Sequence, residues 1–383
     1  MASEKEALDF LLLGPAIPYR GGIADTQYAL AKSLSAQGYQ VKLVSFSNLY
    51  PAYLFPGNSQ FAKDSKNPCL SIERLIHAYN PLNWIRVAKR VRQLKPKVVV
   101  FRYWTPFIAP CWIAIANCLD RATKKVALVD NWHAHEPKPW DSFLNRRFEK
   151  SMDLFTTLSN AVASQIVTDS PKRVWGKMHP IQDDLPQKIE QNEAKRRLQI
   201  SEDKTALLFF GLVRPYKGLT LLLKALKQHP EKYLFIVGEC YESWASYQQL
   251  IEEYQIEKQI TVVSRFVSHK EAALYFSTAD ATVLPYTSAT QSGVLALAYH
   301  YETPLVVTDH PGLTQPVIED QTGEVCHPTV EGVSEAISLV TEATRNKTCR
   351  KNLKEAKGNY SWDIYAIEWA QFILAECVKY ESN

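Results

Sequence analysis

Two cations three residues apart, Arg214 and Lys217, stand between glycines in the stretch LFFGLVRPYKGL at residues 208–219. An arginine fork matches pairs of phosphate oxygens, and a lysine supplies a compact point charge. Gly211 and Gly218 allow the backbone to come close to a ligand. The apolar run that leads into them, Ala206–Phe210, reads as a buried strand, so both cations are delivered at a strand end. Alone, this piece describes an anion site and a solvated loop with two surface cations equally well. A second stretch weighs on the choice. Residues 285–297 read PYTSATQSGVLAL, and Ser292-Gly293-Val294 falls where a helical pattern begins. Free N–H groups and the helix dipole make such a turn an anion site. It is expected one strand end away from Arg214 and Lys217. Two cations and a helix start aimed at one place suit a diphosphate.

A second constellation lies earlier in the chain. The loop after Val126–Val129 reads DNWHAHEPKPWD and holds Asp130, Asn131, His133, His135 and Glu136. A carboxylate or histidine there can accept a hydroxyl proton. For His133 a plain structural role fits as well. Tyr103 and Trp104 follow the strand-like run KVVVF at 97–101. Their aromatic faces suit the C–H surface of a sugar, and packing as core beneath a loop suits them nearly as well. Arg20, in GPAIPYRGGIAD, is a candidate for a negatively charged acceptor group. The stretch NWIRVAKRVRQLKPK at 83–97 carries Arg86, Lys89, Arg90, Arg92, Lys95 and Lys97 beside Trp84. It reads as the solvated face of a helix covering a sheet, or as a surface that rests on anionic lipid.

The elements that must position these groups alternate between strand and helix. Ala7–Leu13, Tyr39–Phe46, 97–101 and Val126–Val129 read as strands of a parallel sheet, with helices over 23–37 and Leu82–Leu94. Arg146–Leu158 reads as a helix running into a short strand. A polar, proline-bearing stretch, HPIQDDLPQKIEQNEAKRR, reads as a linker. A second such pattern follows it. Strands are expected at Ala206–Phe210, Tyr233–Val237, Ile260–Val263, Ala281–Leu284 and Leu305–Thr308, and helices at Leu219–Lys227 and Ser292–Tyr301. Ser268 with Glu271 spells a capping box. Trp362–Tyr380 reads as a long amphipathic helix. The expected architecture is α/β, two doubly wound Rossmann-like domains facing across a cleft, with ligands beyond the carboxyl ends of the strands.

Composition narrows the classes. A chain of 383 residues accommodates two such domains, and a net charge of +4 is too small to imply a nucleic-acid partner. The seven cysteines include no C-x-x-C and no ligand-like Cys/His spacing, so reduced thiols are expected and a metal site is not. The start, MASEKEALDFLLLGP, lacks a basic leader, and no apolar run is long enough to span a bilayer. The expected location is the cytoplasm, free or against the cytoplasmic face of a membrane.

These motifs together are familiar. FGLVRPYKG, PYTSATQSG and TDHPGL…EDQTGEV resemble the C-terminal domain of family 4 glycosyltransferases, the group 1 glycosyltransferases of GT-B fold. The stretch GPAIPYRGGIADTQYALAKSLSAQGYQVKLVSF resembles their N-terminal start, and SWDIYAIEWA their last helix. The resemblance covers nearly the whole chain. It implies an acceptor-side domain over 1–182, a nucleotide-sugar domain over 190–361, and a helix at 362–383 that returns to the first. It also implies transfer of a sugar from a nucleotide-sugar, with UDP or GDP first in line, to a glycan or lipid-linked acceptor. Anomeric configuration is retained, and neither metal nor cofactor is needed.

By the match, Arg214 and Lys217 stabilise the leaving diphosphate. The backbone of Ser292, Gly293 and Val294 adds donors, and Gly21 and Gly22 cover the donor from the other domain. Phe266 and Val267 stand where backbone groups hold the base. His135 and Glu136 match a His-Glu pair, and His135 is expected to orient the sugar or the acceptor hydroxyl. Asp130 stands where a histidine is common.

Most members carry one glutamate just before the phosphate-binding helix and one within it. Here those positions are Ala289 and Leu297, and Gln315 replaces another acid. Either Thr290 and Gln291 take over the polar contacts, or the chain is a relative that binds nucleotide-sugar without catalysing. A nicotinamide-dependent oxidoreductase is disfavoured, since GPAIPYRGG is not G-x-G-x-x-G and SFSN supplies no acid.

Overall fold

A computed structural model describes residues 8–19, 21–50, 61, 69–133, 138–182, 185–240, 242–289 and 291–381, with side chains in the last helix followed to Cys377. The chain divides into two compact units. Unit 1 is Met1–Met178 with Trp362–Asn383, and unit 2 is His179–Ser361.

Unit 1 runs β1 (Phe10–Leu13), α1 (Gly22–Ala36), β2 (Val41–Asn48), β3 (Ile72–His77), α2 (Pro81–Leu94), β4 (Val98–Tyr103), α3 (Ala109–Asn117), β5 (Lys124–Val129), α4 (Asp141–Ser151), β6 (Leu154–Thr157), α5 (Asn160–Asp169) and β7 (Val174–Gly176). Its sheet has the order β3-β2-β1-β4-β5-β6-β7, and the pairs are parallel. The central strands are apolar on both faces because helices cover both. Val99, Phe101, Ala127 and Val129 pack under α2, α3 and α4, while Phe10, Leu12, Val98 and Val100 pack under α1 and the chain's last helix.

Unit 2 runs α6 (Gln191–Arg197), β8 (Ala206–Phe210), α7 (Leu219–Leu226), β9 (Tyr233–Val237), α8 (Ala245–Tyr254), β10 (Ile260–Val263), α9 (His269–Thr278), β11 (Ala281–Leu284), α10 (Gly293–His300), β12 (Leu305–Thr308), α11 (Pro311–Glu319), β13 (Gly323–Cys326), α12 (Val330–Thr341) and α13 (Ala343–Ala356). Its parallel sheet has the order β10-β9-β8-β11-β12-β13. The closing helix α14 (Trp362–Glu381) belongs to unit 1, where Trp362, Tyr365, Trp369 and Ile373 are buried against α1 and the sheet.

Each sheet reverses its strand order once, between β1 and β4 and between β8 and β11. In open parallel sheets such reversal points are where ligands bind, beyond the carboxyl ends of the strands. Both stretches that carry Arg214, Lys217 and Ser292 leave β8 and β11, so they sit at the reversal point of unit 2. Gly21 and Trp104 leave β1 and β4, the reversal point of unit 1.

Several elements depart from the sequence reading. The expected linker contains α6, started by the Glu190 carboxylate accepting from the N–H groups of Asn192 and Glu193. Helix α11 carries Pro311 in its first turn and Pro316 inside, which hides its periodicity. Strand β13 is a short run entered at Gly323, where an added Cβ would stand 2.0 Å from the Leu305 carbonyl oxygen. The capping box is present as spelled: Ser268 accepts from the Glu271 N–H, and the Glu271 carboxylate accepts from the Ser268 N–H.

Candidate active site

The candidate anion-binding groups of unit 2 begin where β8 ends. Gly211 takes φ +95, a value other residues avoid, and its N–H donates to Val237 O at 2.9 Å. Arg214 is extended and half-buried, and a single 3₁₀ turn over Pro215–Lys217 follows. Gly218 then takes φ +70 and caps α7. No other residue fits there, because an added Cβ would lie 1.8 Å from Pro285 O. The contact is mutual: Thr287 N donates to Tyr216 O at 2.7 Å. The loop after β11 therefore clasps the turn after β8.

That clasp buries Lys217, which is only 8% exposed. Its ammonium lies 5.5 Å from the centre of the Tyr286 ring. No hydrogen bond or ion pair reaches it from the described residues. Burial pushes its pKa below the ordinary lysine range; Tyr216 opposes this and the like charge of Arg214 adds to it. A buried ammonium held by one aromatic face is costly unless an anion joins it. Tyr286 is buried too, which pushes its hydroxyl up to about 12 against the hydrogen bond to Ser292. Its carbonyl accepts from Thr308 Oγ1 at 2.6 Å and from the His310 ring at 3.0 Å, which fixes the platform under Lys217.

Helix α10 opens beside this group. Ser292 is its N-cap residue but makes no side-chain cap; its hydroxyl lies 3.3 Å from the Tyr286 hydroxyl instead. Gly293 is exposed, with open space where a Cβ would be. Val294 is buried, and its Cγ2 would meet a Cβ on Gly211 at 3.4 Å. So Lys217, Gly211 and the uncapped start of α10 converge. Gln291 is half-buried at the same turn. Thr290 lies outside the described residues. Phe266 is exposed and Val267 buried in the turn between β10 and α9, which Arg265 N ties back to Val263 O. Tyr286 was not singled out from the sequence; its place directly after the β11 run was the available signal.

In unit 1, Gly21 takes φ +109 and caps α1, and neither Gly21 nor Gly22 has any atom near a would-be Cβ. Arg20, His135 and Glu136 lie outside the described residues. The structure assigns Asp130 to a buried ion pair. Both its oxygens accept from Arg102, at 2.6 and 2.5 Å, and the same guanidinium donates to Thr26 Oγ1 at 2.9 Å. Its carboxylate thus ties the loop after β5 to α1. Arg102 is a charge inside an otherwise apolar strand, a signal the reading of KVVVF stopped just short of.

Tyr103 is core. Its ring stacks on Phe148 at 4.1 Å and its hydroxyl donates to Asn145. Trp104 is half-buried, and its indole N–H donates to the Tyr50 hydroxyl. His133 lies at the surface, 2.8 Å from Asp169, which also accepts from the Trp132 indole. Burial would raise the Asp169 pKa, but these two bonds outweigh it and hold the carboxyl below its ordinary value.

Known proteins resemble this chain in sequence and in fold. The model of the family "Glycosyl transferases group 1" matches residues 190–358 and that of "Glycosyltransferase Family 4" matches residues 20–175. Over 181 residues the chain is 31% identical to a glycogen synthase of Mycobacterium tuberculosis, covering 44% of this chain and 42% of that one. Over 103 residues it is 33% identical to a GDP-mannose:glycolipid 4-beta-D-mannosyltransferase of Xanthomonas campestris pv. campestris, covering 26% and 29%. The matched stretches thus span less than half the length of these curated relatives. A sucrose-phosphate synthase from Thermosynechococcus elongatus shares the fold, with a TM-score of 0.77, 15% identity, and 97% and 100% of the two chains covered.

Proposed function

The chain belongs to the group 1 glycosyltransferases, with a GT-B fold, and on that premise we propose that it moves a sugar from a nucleotide-diphosphate-sugar to a glycan or lipid-linked hydroxyl. The observation that carries the proposal is Lys217: a buried ammonium with an aromatic face below it, no carboxylate beside it among the described residues, and the open start of α10 alongside. A diphosphate supplies the missing charge. Arg214 adds a second cation from the same turn.

As the bond between the anomeric carbon and the phosphate oxygen breaks, negative charge grows on that oxygen. Lys217, Arg214 and the N–H groups of α10 are preorganised to meet it, so these groups supply the charge compensation themselves. The acceptor oxygen attacks from the same face, and its proton passes to the departing phosphate oxygen. The anomeric configuration is thereby retained. His135 orients the acceptor side. UDP and GDP are the first nucleotides to test.

The second reading, a binder without transfer, is favoured by Ala289 and Leu297 standing where carboxylates are common. One experiment separates the two. Thermal shift with UDP, GDP and ADP on wild type and Lys217→Ala reports the site, because a ligand that binds the folded form raises the melting point. A shift with one nucleotide that vanishes in the variant supports the site; no shift with any of them rejects it. Release of that nucleoside diphosphate from its sugar conjugate then supports transfer over binding alone.

A further inference from the structure

We propose that Glu302 is a positioning residue of the donor site, acting through helix α10. The inference rests on the reading above, that the start of α10 receives a diphosphate. That start is open: Ser292 makes no side-chain cap, and Gly293 is exposed. Helix α10 has eight residues, so its far end lies about 12 Å away. Polar anchors gather at that far end.

The chain leaves α10 in a Schellman turn. The N–H of Glu302 donates to Tyr299 O at 3.2 Å, and that of Thr303 to Ala298 O at 2.9 Å. Glycine is the usual residue at the first position past such a helix end, because the backbone there is left-handed. Here Glu302 takes φ +53. A residue with a Cβ is destabilised by roughly 1 kcal/mol or more in that region. The side chain shows what offsets the strain. Its carboxylate is 17% exposed and accepts from Lys357 Nζ at 2.7 Å and from Lys188 Nζ at 3.1 Å. Its carbonyl accepts from Arg350 at 3.2 Å.

The two lysines sit near the two ends of unit 2. Lys188 lies between His179, where the unit begins, and α6. Lys357 opens the 3₁₀ turn Lys357–Tyr360, just before the unit ends at Ser361. Neighbours of Glu302 hold the same stretches. The His300 ring donates to Pro186 O at 2.9 Å. Tyr299 and Tyr360 both donate to Asp320 Oδ2, at 2.8 and 2.7 Å. Ile181 N donates to Tyr360 O at 2.7 Å, which ties the two stretches to each other. The last turn of α10 is therefore joined to both. Among the described residues, Lys188 and Lys357 have no acid partner but Glu302. Burial, and then the like charge of Arg350, push the Lys188 pKa below the ordinary lysine range, against the pull of Glu302. Without that carboxylate the cations would repel and loosen the far end of α10. Its open start would then lose the fixed alignment with Lys217 on which charge compensation depends.

The test is titration calorimetry of the full chain with UDP, GDP and ADP. Glu302→Gly removes the carboxylate and suits the left-handed backbone, so its melting point should stay within about 3 °C of wild type. Glu302→Gln keeps the size and removes the charge. Both should weaken binding of the nucleoside diphosphate that wild type takes by on the order of tenfold. Lys188→Met with Lys357→Met should weaken it as much, and adding Glu302→Gln to that pair should weaken it no further. Wild-type affinity in Glu302→Gly or in the lysine pair would overturn the proposal, as would losses that simply add. A wild type that binds none of the three rejects the diphosphate site and this proposal with it. A wild type and variants that bind alike reject this proposal alone.

Discussion

At the scale of the residue, Lys217 ties burial to chemistry. Its charge costs stability in the unliganded protein, because nothing among the described residues neutralises it. Lys217→Met keeps the length of the side chain and removes the charge. The variant should be more stable than wild type without ligand, by about 1–2 kcal/mol, and should show no thermal response to any nucleoside diphosphate. The pH dependence has a definite sign. The folded pKa lies below the ordinary lysine value, so the unfolded chain binds more protons in the window between them. Wild-type stability gains from this group as pH rises through that window and loses the gain as pH falls through the folded value. Urea titrations at several alkaline pH values should show this slope in wild type and not in Lys217→Met. A less stable variant with an intact nucleotide response would show that the ammonium is structural.

At the scale of the element, the turn before α9 illustrates how a local motif holds a loop. Ser268 and Glu271 satisfy each other's backbone, and Arg265 adds a 2.5 Å bond to the Glu271 carboxylate. That bond first, and the Ser268 N–H second, hold Glu271 at about 2. Phe266 and Val267 lie between the two anchors. Ser268→Ala should cost about 1 kcal/mol, read as a lower urea midpoint with an unchanged slope. The folded pKa is depressed, so the contribution of Glu271 is fully present above the ordinary glutamate range and is lost as pH falls toward 2. Glu271→Gln should flatten the acid limb of the stability curve over that window. An acid limb identical to that of wild type would count against the bond.

At the scale of the whole molecule, the chain leaves unit 1 at residue 178 and returns to it at Trp362. The return is an energetic necessity. Trp362, Tyr365, Trp369 and Ile373 are completely or almost completely buried, and they cover Phe10, Leu12 and Val100 on one face of the sheet. Burial of side chains this size contributes about 1.5–3 kcal/mol each, so the group is worth about as much as the whole stability of a domain, about 5–15 kcal/mol. A chain ending at Ser361 should therefore lose the cooperative unfolding of unit 1. Unit 2 has its own core around Leu207, Leu223, Ile236 and Val283 and should keep its transition. Calorimetry of the truncated chain checks this; survival of both transitions would make α14 an accessory.

Much of this was decided locally, and the sequence alone determined it. Short apolar runs ended by glycine specify strands of a parallel sheet, because strands buried on both faces need no polar alternation. The glycines around Arg214 and Lys217 specify a tight turn at a strand end, and Ser268 with Glu271 a helix start. Helices α11 and α6 were not legible, since prolines and charges mask their period. Contacts between distant segments were beyond reach for a different reason. Asp130 reads as a free carboxylate in a loop, yet its partner Arg102 stands 28 residues earlier, on a neighbouring strand that only the sheet order brings alongside. For Tyr103, two readings stood open, and the packing on Phe148 selects core. Periodicity tells which residues share a face, but the packing of neighbouring helices decides which face meets water. Tertiary structure alone made Lys217 a buried cation with no carboxylate partner among the described residues, because its burial comes from a loop that leaves another strand.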